Sequence, residues 1–550
     1  MRFQLDHDWQ GNMSTPRARI GDGVKTQLLL VLCAIWIFFG LIGHAPWKPL
    51  ESTSISIVKS ILDTGNLIAP LASDATSLET PPLYYLSAAA SAKLLAPFMS
   101  LHDGARLINA IWLSIMLLMV GMTGRELWSR GVGRHATFIM IGTVGLVLSA
   151  HSLSAEVASL TSAATGFYAL ALSKRRPWRA CGLLAAALSV GFLSSGFLPL
   201  LIIFSTAFIL PLLFKAWRTS GFLKFFTAAI LLASLPIAAW LLAFQQYSTS
   251  LFADWWQMNL DGLQQHNHLY FVRILLWYAW PALPLALLGL WRYREQLLIK
   301  PKFQLMLTFF ICSLIFLSIG ADSKDINALP LLIPVVALAA GSVEHLKRGT
   351  AAALNWFGVL LFGLIGALIW LGWLAMMTDY PAKIKERLQF LSGTNEIDFH
   401  WLALMAALLI TMIWAFVCIR AKQTNKSTVT NWAVGMTFCW TLLMTLWLPL
   451  IDSAKSYQPV FSSLTKVLPK NHACINSLNV GQPQRLLLNY YTNIKLQQFE
   501  ITQTLSCDFY LLQDNKGVGK MQPGQEWKQI WSGRRIADRK EGFRLFQRVN

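Results

Sequence analysis

His44-Ala45-Pro46-Trp47-Lys48-Pro49-Leu50-Glu51 opens a polar stretch that runs to Glu79-Thr80-Pro81-Pro82-Leu83-Tyr84-Tyr85. Apolar runs stand on both sides of it. A carboxylate-bearing loop ending in a Pro-Pro-aromatic element has no place in hydrocarbon, where unsatisfied backbone groups and charges are costly. The stretch therefore reads as an extramembrane loop between spans. Its chemistry, with acids, a lysine and paired tyrosines, is that of an active-site loop on a membrane enzyme.

Composition supports the frame. Of 550 residues 55% are hydrophobic and only 13% charged, about half the charged share of a soluble domain. Apolar runs near the roughly 20 residues needed to cross a bilayer recur to about residue 450. Thirteen spans are expected, over 27–45, 105–124, 135–151, 155–173, 178–197, 198–215, 223–245, 270–291, 303–320, 326–343, 354–377, 399–420 and 430–450. The fold class is an all-α polytopic membrane protein with a small C-terminal α/β domain.

The basic residues orient these spans, because short cytoplasmic loops hold the Lys and Arg excess. With the N-terminus (Arg17, Arg19, Lys25) inside, the internal loops carry Arg125, Arg130 and Arg134, then Lys174, Arg175, Arg176 and Arg179, then Lys215, Arg218 and Lys224. The series continues with Arg292 to Lys302, Lys347 and Arg348, and Arg420 to Lys426. Outer loops carry Glu51, Asp63, Glu79, Glu156, Asp254, Asp261, Asp322 and Asp325. The alternation requires residues 83–98 to lie on the outer face as an amphipathic helix. It places the N-terminus in the cytoplasm and the loop 46–104 and residues 451–550 outside it. The polar residues 1–26 precede a full-length span, so the first apolar segment reads as a retained anchor. The net charge of +19 is dispersed over short loops facing anionic lipid, which argues against a nucleic-acid partner.

In residues 451–550 soluble patterning takes over. Strands are expected at 473–478, 509–512, 527–531 and 543–549, and a helix at 484–491. Five cysteines, Cys33, Cys181, Cys312, Cys418 and Cys439, belong to the spans as packing residues. Cys474 and Cys507 alone lie in the soluble part, where an oxidising compartment permits a disulfide.

The ionisable residues at the outer ends of spans are the candidates for chemistry. They are Glu51, Glu79, Glu156, His266, His268, Arg273, Asp322, Lys324 and Asp325, all on one side under this topology. Glu51 and Glu156 read equally well as first-turn helix acids favoured by the dipole. No cofactor is demanded. The one metal arrangement these residues offer is a divalent ion held by His266, His268 and Glu79, although an i,i+2 histidine pair in a loop more often faces solvent. Trp255, Trp256 and Trp277 suit the interfacial aromatic belt. A secondary transporter fits less well, since its ionisable groups would cluster near the midplane.

The order of elements resembles the GT-C glycosyltransferases, which include the lipid A aminoarabinose transferase and the protein O-mannosyltransferases. The matching pieces are Pro46-Trp47-Lys48-Pro49, Thr64-Gly65-Asn66, Pro81-Pro82-Leu83-Tyr84-Tyr85, Ala328-Leu329-Pro330-Leu331-Leu332 and Asn355-Trp356-Phe357-Gly358. The resemblance implies transfer of a sugar from a polyprenyl (undecaprenyl) phosphate to a cell-envelope acceptor such as lipid A, another glycolipid or a protein. It implies inversion at the periplasmic face of the bacterial inner membrane, with a loop carboxylate as base, so that the loop 46–104 and residues 451–550 are expected in the periplasm. On that pattern Glu51 is the expected base and Glu156 its electrostatic support. Lys48, Glu79, Tyr84, Tyr85, Arg273 and Lys324 are expected to bind substrate. Two positions depart: the family's Asp-Glu pair is Leu50-Glu51 here, and its Glu-Lys-Pro-Pro is Glu79-Thr80-Pro81-Pro82. A relative that binds lipid-linked sugar without transferring it is the alternative.

Overall fold

The computed structural model describes residues 22–262, 269–394, 398–420, 425–469, 474–499, 507–515, 524, 526–535, 537–538 and 541–549. His266 and His268 lie outside the described residues, as do Arg17 and Arg19.

Helix dominates to residue 467. Helix α1 (Asp22–Phe38) leads into the first loop, which folds as α2 (Leu50–Thr64), an irregular stretch, α3 (Leu83–Leu95) and α4 (Leu101–Arg106). The bundle follows as α5 (Ile108–Leu127), α6 (Arg130–Ile141), α7 (Val144–Ser149), α8 (Glu156–Leu172), α9 (Pro177–Ser195) and α10 (Phe197–Leu213). Next come α11 (Ser220–Tyr247), α12 (Thr249–Gly262), α13 (Tyr270–Tyr278), α14 (Ala282–Arg292), α15 (Pro301–Gly320), α16 (Leu329–Ser342) and α17 (Arg348–Thr378). The series closes with α18 (Ala382–Ser392), α19 (Trp401–Arg420), α20 (Asn425–Leu446), α21 (Leu448–Lys455) and α22 (Gln458–Val467).

Among the described residues eight helices are long and apolar enough to cross a membrane, or nine if α13 and α14, bent by 103° at Trp280-Pro281, count as one span. The chain is thus a multi-pass membrane protein. The other stretches expected to span are shorter or broken. Helices α1, α8 and α10 have 17 residues each; at 1.5 Å per residue that is about 26 Å, short of a hydrocarbon core of about 30 Å. The stretch 135–151 breaks between α6 and α7, where Gly142 packs on the Trp432 ring and Val144 N–H bonds Trp280 O at 3.1 Å. The apolar runs mark where helix forms, but not whether each helix is continuous.

Helix α3 has 13 residues, about 20 Å at 1.5 Å per residue, too short for a hydrocarbon core of about 30 Å. It buries Tyr84, Tyr85, Ala88, Ala89 and Ala92, and leaves Leu94 77% and Phe98 82% exposed. The basic ends of the helices gather at the opposite face: Arg175 pairs with Glu126, Lys426 with Glu344 at 2.9 Å, and Lys302 sits 3.5 Å over the Trp128 ring.

The C-terminal part is a five-stranded sheet in the order β2-β1-β3-β5-β4, formed by β1 (Ile475–Leu478), β2 (Leu496–Gln498), β3 (Phe509–Asn515), β4 (Trp527–Gly533) and β5 (Glu541–Arg548). Helix α23 (Gln482–Thr492) connects the parallel pair β1 and β2, while β5 runs antiparallel to both β3 and β4. Alternation along β3 sends Phe509 and Leu511 toward α22 and α23, and Tyr510 and Leu512 toward Phe546 on the other face. Cys474 and Cys507 are joined as a disulfide at the start of adjacent strands.

Candidate active site

The first loop supplies two carboxylates, and the structure gives them different surroundings. Glu51, in the first turn of α2, is 2% exposed, and Arg106 at the end of α4 is fully buried. Arg106 donates from Nε to Glu51 Oε1 at 2.7 Å and from Nη2 to Oε2 at 3.3 Å. Its remaining donors reach His44 O at 2.9 Å, Ala45 O at 3.0 Å and Asp103 Oδ1 at 3.0 Å. Five N–H groups are the whole capacity of a guanidinium. The carboxylate is as fully engaged, accepting Trp47 N–H at Oε2 (2.9 Å) and Leu153 N–H at Oε1 (2.9 Å).

Burial alone would raise the Glu51 pKa. The Arg106 charge, with His44 and the Leu153 N–H, overcomes that and holds the carboxyl below its ordinary range. A carboxylate so paired and so weakly basic is a poor proton acceptor. This arrangement does not suit the expected role of Glu51 as base: Glu51 and Arg106 form a clamp fixing the entry of the loop to the start of α8. Asp452 extends the clamp by accepting Ala45 N–H and Trp47 Nε1–H, each at 2.9 Å. Tyr84 belongs to it too, donating to Asn109 Oδ1 at 2.7 Å and accepting Ser154 N–H at 2.9 Å.

Glu79 has the opposite character. It lines a cavity of about 120 Å³ with Ser195, Phe197, Met258, Asn259 and Gly320. Its pKa is raised, first by burial; Lys324 opposes this, and the neighbouring Asp74, Glu156 and Asp322 charges add to it. Lys324 is held above its ordinary value. Partial burial pulls it down, and Asp322 at 2.8 Å, with Glu156 and Glu79, more than offsets that. Glu156 accepts from Ser154 Oγ. Tyr85, its phenol pKa raised by burial and then by Glu156, faces the same charges and takes Thr80 Oγ1–H at 3.5 Å. Glu79, Tyr85, Glu156, Asp322 and Lys324, drawn from the first loop, α3, α8 and the α15–α16 turn, thus share one electrostatic site.

The local fold positions Glu79 through aromatic packing. Leu78 is buried with Phe192, Phe244 and Trp255. Gly196, at φ +77°, turns the chain between α9 and α10 where a Cβ would stand 3.4 Å from Asn259 Oδ1 and 3.9 Å from Pro81 Cδ. Trp255, expected in the interfacial belt, is fully buried here and stacks on Phe197 at 5.7 Å; Trp256 and Trp277 are partly exposed.

The remaining candidates separate. Lys48 is drawn away to the C-terminal domain, donating to Glu541 Oε1 at 2.5 Å and lying 5.3 Å from the Tyr457 ring centre. Arg273 is exposed on α13 and pairs with no carboxylate among the described residues. Tyr270 in the same helix bonds Asp325. Among the described residues no group of three or more His, Cys, Asp or Glu side chains is placed to hold a metal ion, and the histidines proposed beside Glu79 fall outside them. Sequence reading missed Arg106, Asp452 and Glu541. The one available signal was Arg106 itself, a cation at the head of an apolar run that must find a partner.

No family model matches the chain. An undecaprenyl phosphate-α-4-amino-4-deoxy-L-arabinose arabinosyl transferase of Pectobacterium carotovorum is 26% identical over 368 residues, 63% of this chain and 64% of the relative. The chain thus spans just under two-thirds of that relative's length. A protein of the same name from Yersinia pestis is 24% identical over 483 residues, 81% of each chain. In fold, the chain is similar to ArnT from Cupriavidus metallidurans bound to undecaprenyl phosphate, with a TM-score of 0.70 at 12% identity over 96% of this chain and 98% of that one. The apo form of the same protein gives 0.67. The resemblance drawn from the loop motifs therefore holds in both sequence and architecture.

Proposed function

We propose that this chain, a relative of the undecaprenyl phosphate-aminoarabinose arabinosyl transferases, is an inner-membrane glycosyltransferase. It takes a sugar from a polyprenyl phosphate and passes it to a cell-envelope acceptor, lipid A first among them, on the periplasmic side. The observation that carries this reading is the cavity at Glu79, with three acids, a phenol and a lysine sharing one electrostatic site on an ArnT-like bundle.

Glu79 is the base. A buried carboxyl with a raised pKa accepts a proton from an acceptor hydroxyl better than an ordinary one. As the acceptor oxygen bonds the anomeric carbon, the bond from that carbon to the phosphate oxygen breaks, and the phosphate leaves with its electron pair. Lys324 stabilises that departing charge, as an oriented cation does, and Arg273 is the second cation on this face. Glu156 and Tyr85 set the field and fix the Pro-Pro-aromatic wall. The donor's polyprenyl tail stays in lipid between the helices.

Membranes carrying the chain, supplied with a lipid-linked aminopentose and lipid A and followed by mass spectrometry, test the reading. Sugar-modified lipid A is expected. Bound donor with no product on any acceptor would instead favour a relative that holds lipid-linked sugar without transferring it, the reading suggested by Leu50 and Thr80 and by the fully engaged Glu51.

A further inference from the structure

At the basic face, remote from the Glu79 cavity, a second space of about 380 Å³ opens between α1 and the α5–α6 hairpin. Its walls are apolar, with Cys33 and Phe38 on α1 and Leu117 on α5 among them, and its mouth carries Arg125 from the end of α5 and Arg134 from the start of α6, beside Thr26 of α1. Glycines draw the hairpin together: a Cβ on Gly133 would stand 2.5 Å from Gly121 O, and one on Gly121 2.9 Å from Thr137 Oγ1. The space is left between that close pair and α1.

From Thr26 to Phe38 the groove follows thirteen residues of α1, whose twelve steps of 1.5 Å span about 18 Å. One leaflet's hydrocarbon is about 15 Å deep, half of a 30 Å core. The groove thus has the depth of a single leaflet, an apolar wall throughout, and two cations from different helices where the headgroup layer begins. An acyl chain fits the wall and a phosphodiester fits the arginines. A polyprenyl chain longer than one leaflet does not match this depth.

We propose that this groove is a binding site for one anionic phospholipid of the leaflet on the basic face. The bound lipid fills the gap between α1 and the hairpin and ties them together. The inference does not depend on the transfer reaction.

Native mass spectrometry of the detergent-solubilised full chain, given equal phosphatidylglycerol and phosphatidylcholine, tests it. One phosphatidylglycerol is expected to be retained in preference, and the preference should fall roughly fivefold for each arginine removed in Arg125→Gln and Arg134→Gln. Arg292→Gln, on the same face but outside the groove, should leave it unchanged. Cys33→Phe, which fills the wall and keeps both arginines, should lower retention of either lipid. Equal retention of the two lipids would overturn the proposal, as would a preference surviving in the double arginine variant. Displacement of phosphatidylglycerol by equimolar undecaprenyl phosphate would also overturn it, because the groove would then belong to the carrier.

Discussion

Glu51 and Glu79 sit in one loop, near one face, and differ in nearly everything that decides what a carboxylate does. Glu51 meets a buried guanidinium and two backbone N–H groups, so its charge is neutralised and its lone pairs are occupied. Glu79 borders a cavity among other acids, with Lys324 as the counter-charge. On the proposed function, the first arrangement holds structure and the second retains reactivity. Position in a motif does not distinguish them; the company of each side chain does.

The largest effect should come from the reactive side of that pair. Glu79→Gln should lower sugar transfer by about 10²–10⁴-fold in a product-formation assay, with the melting temperature unchanged or raised. The sign follows from its raised pKa: burial disfavours the ionised form, so losing the charge costs the fold nothing. Wild-type transfer should rise as pH increases through that raised value, and this limb should vanish in the variant. Lys324→Ala should follow, reducing transfer about 10²–10³-fold with donor binding measured separately.

The clamp should respond in stability. Arg106→Ala leaves Glu51 buried and unpaired, and Glu51→Ala strands Arg106; each should cost about 3–5 kcal/mol in unfolding measurements, the double variant far less than the sum. Because the Glu51 pKa is depressed in the folded protein, its contribution is complete above the ordinary glutamate value of about 4.3 and is lost as pH falls through the lower folded value. If Glu51→Gln, which keeps the shape, abolished transfer without moving stability, the contrast between the carboxylates would fail. The smallest effect belongs to the partly buried tie between Lys48 and Glu541: Lys48→Ala should cost about 1 kcal/mol and barely alter transfer.

Much of this molecule was legible in its sequence, for identifiable reasons. Apolar runs and the alternation of basic loops expose the membrane helices, because hydrocarbon penalises charge at every position. Strand patterning at 509–512 and 543–549 survives because the two faces of β3 and β5 meet different cores. The clamp was hidden because Glu51 and Arg106 are 55 residues apart, and Lys48 and Glu541 493 apart. Nothing local to either residue announces its partner. Trp255 misled for a related reason: an aromatic near a span end suits the membrane interface, yet here Phe197 and Trp240 enclose it. Candidates for the site were found singly, and only folding showed that Glu79, Glu156 and Lys324 share one field while Glu51 and Lys48 do not.

Purified full-length chain compared with Glu79→Gln and Glu51→Gln, each given the same undecaprenyl phosphate-linked aminopentose and lipid A, separates the two carboxylates in one experiment. Product mass and melting temperature are read together. The account predicts that Glu79→Gln stays folded and makes almost no product, while Glu51→Gln melts earlier and still transfers sugar from its folded fraction. Full transfer by Glu79→Gln, with product lost only in a stably folded Glu51→Gln, would contradict it.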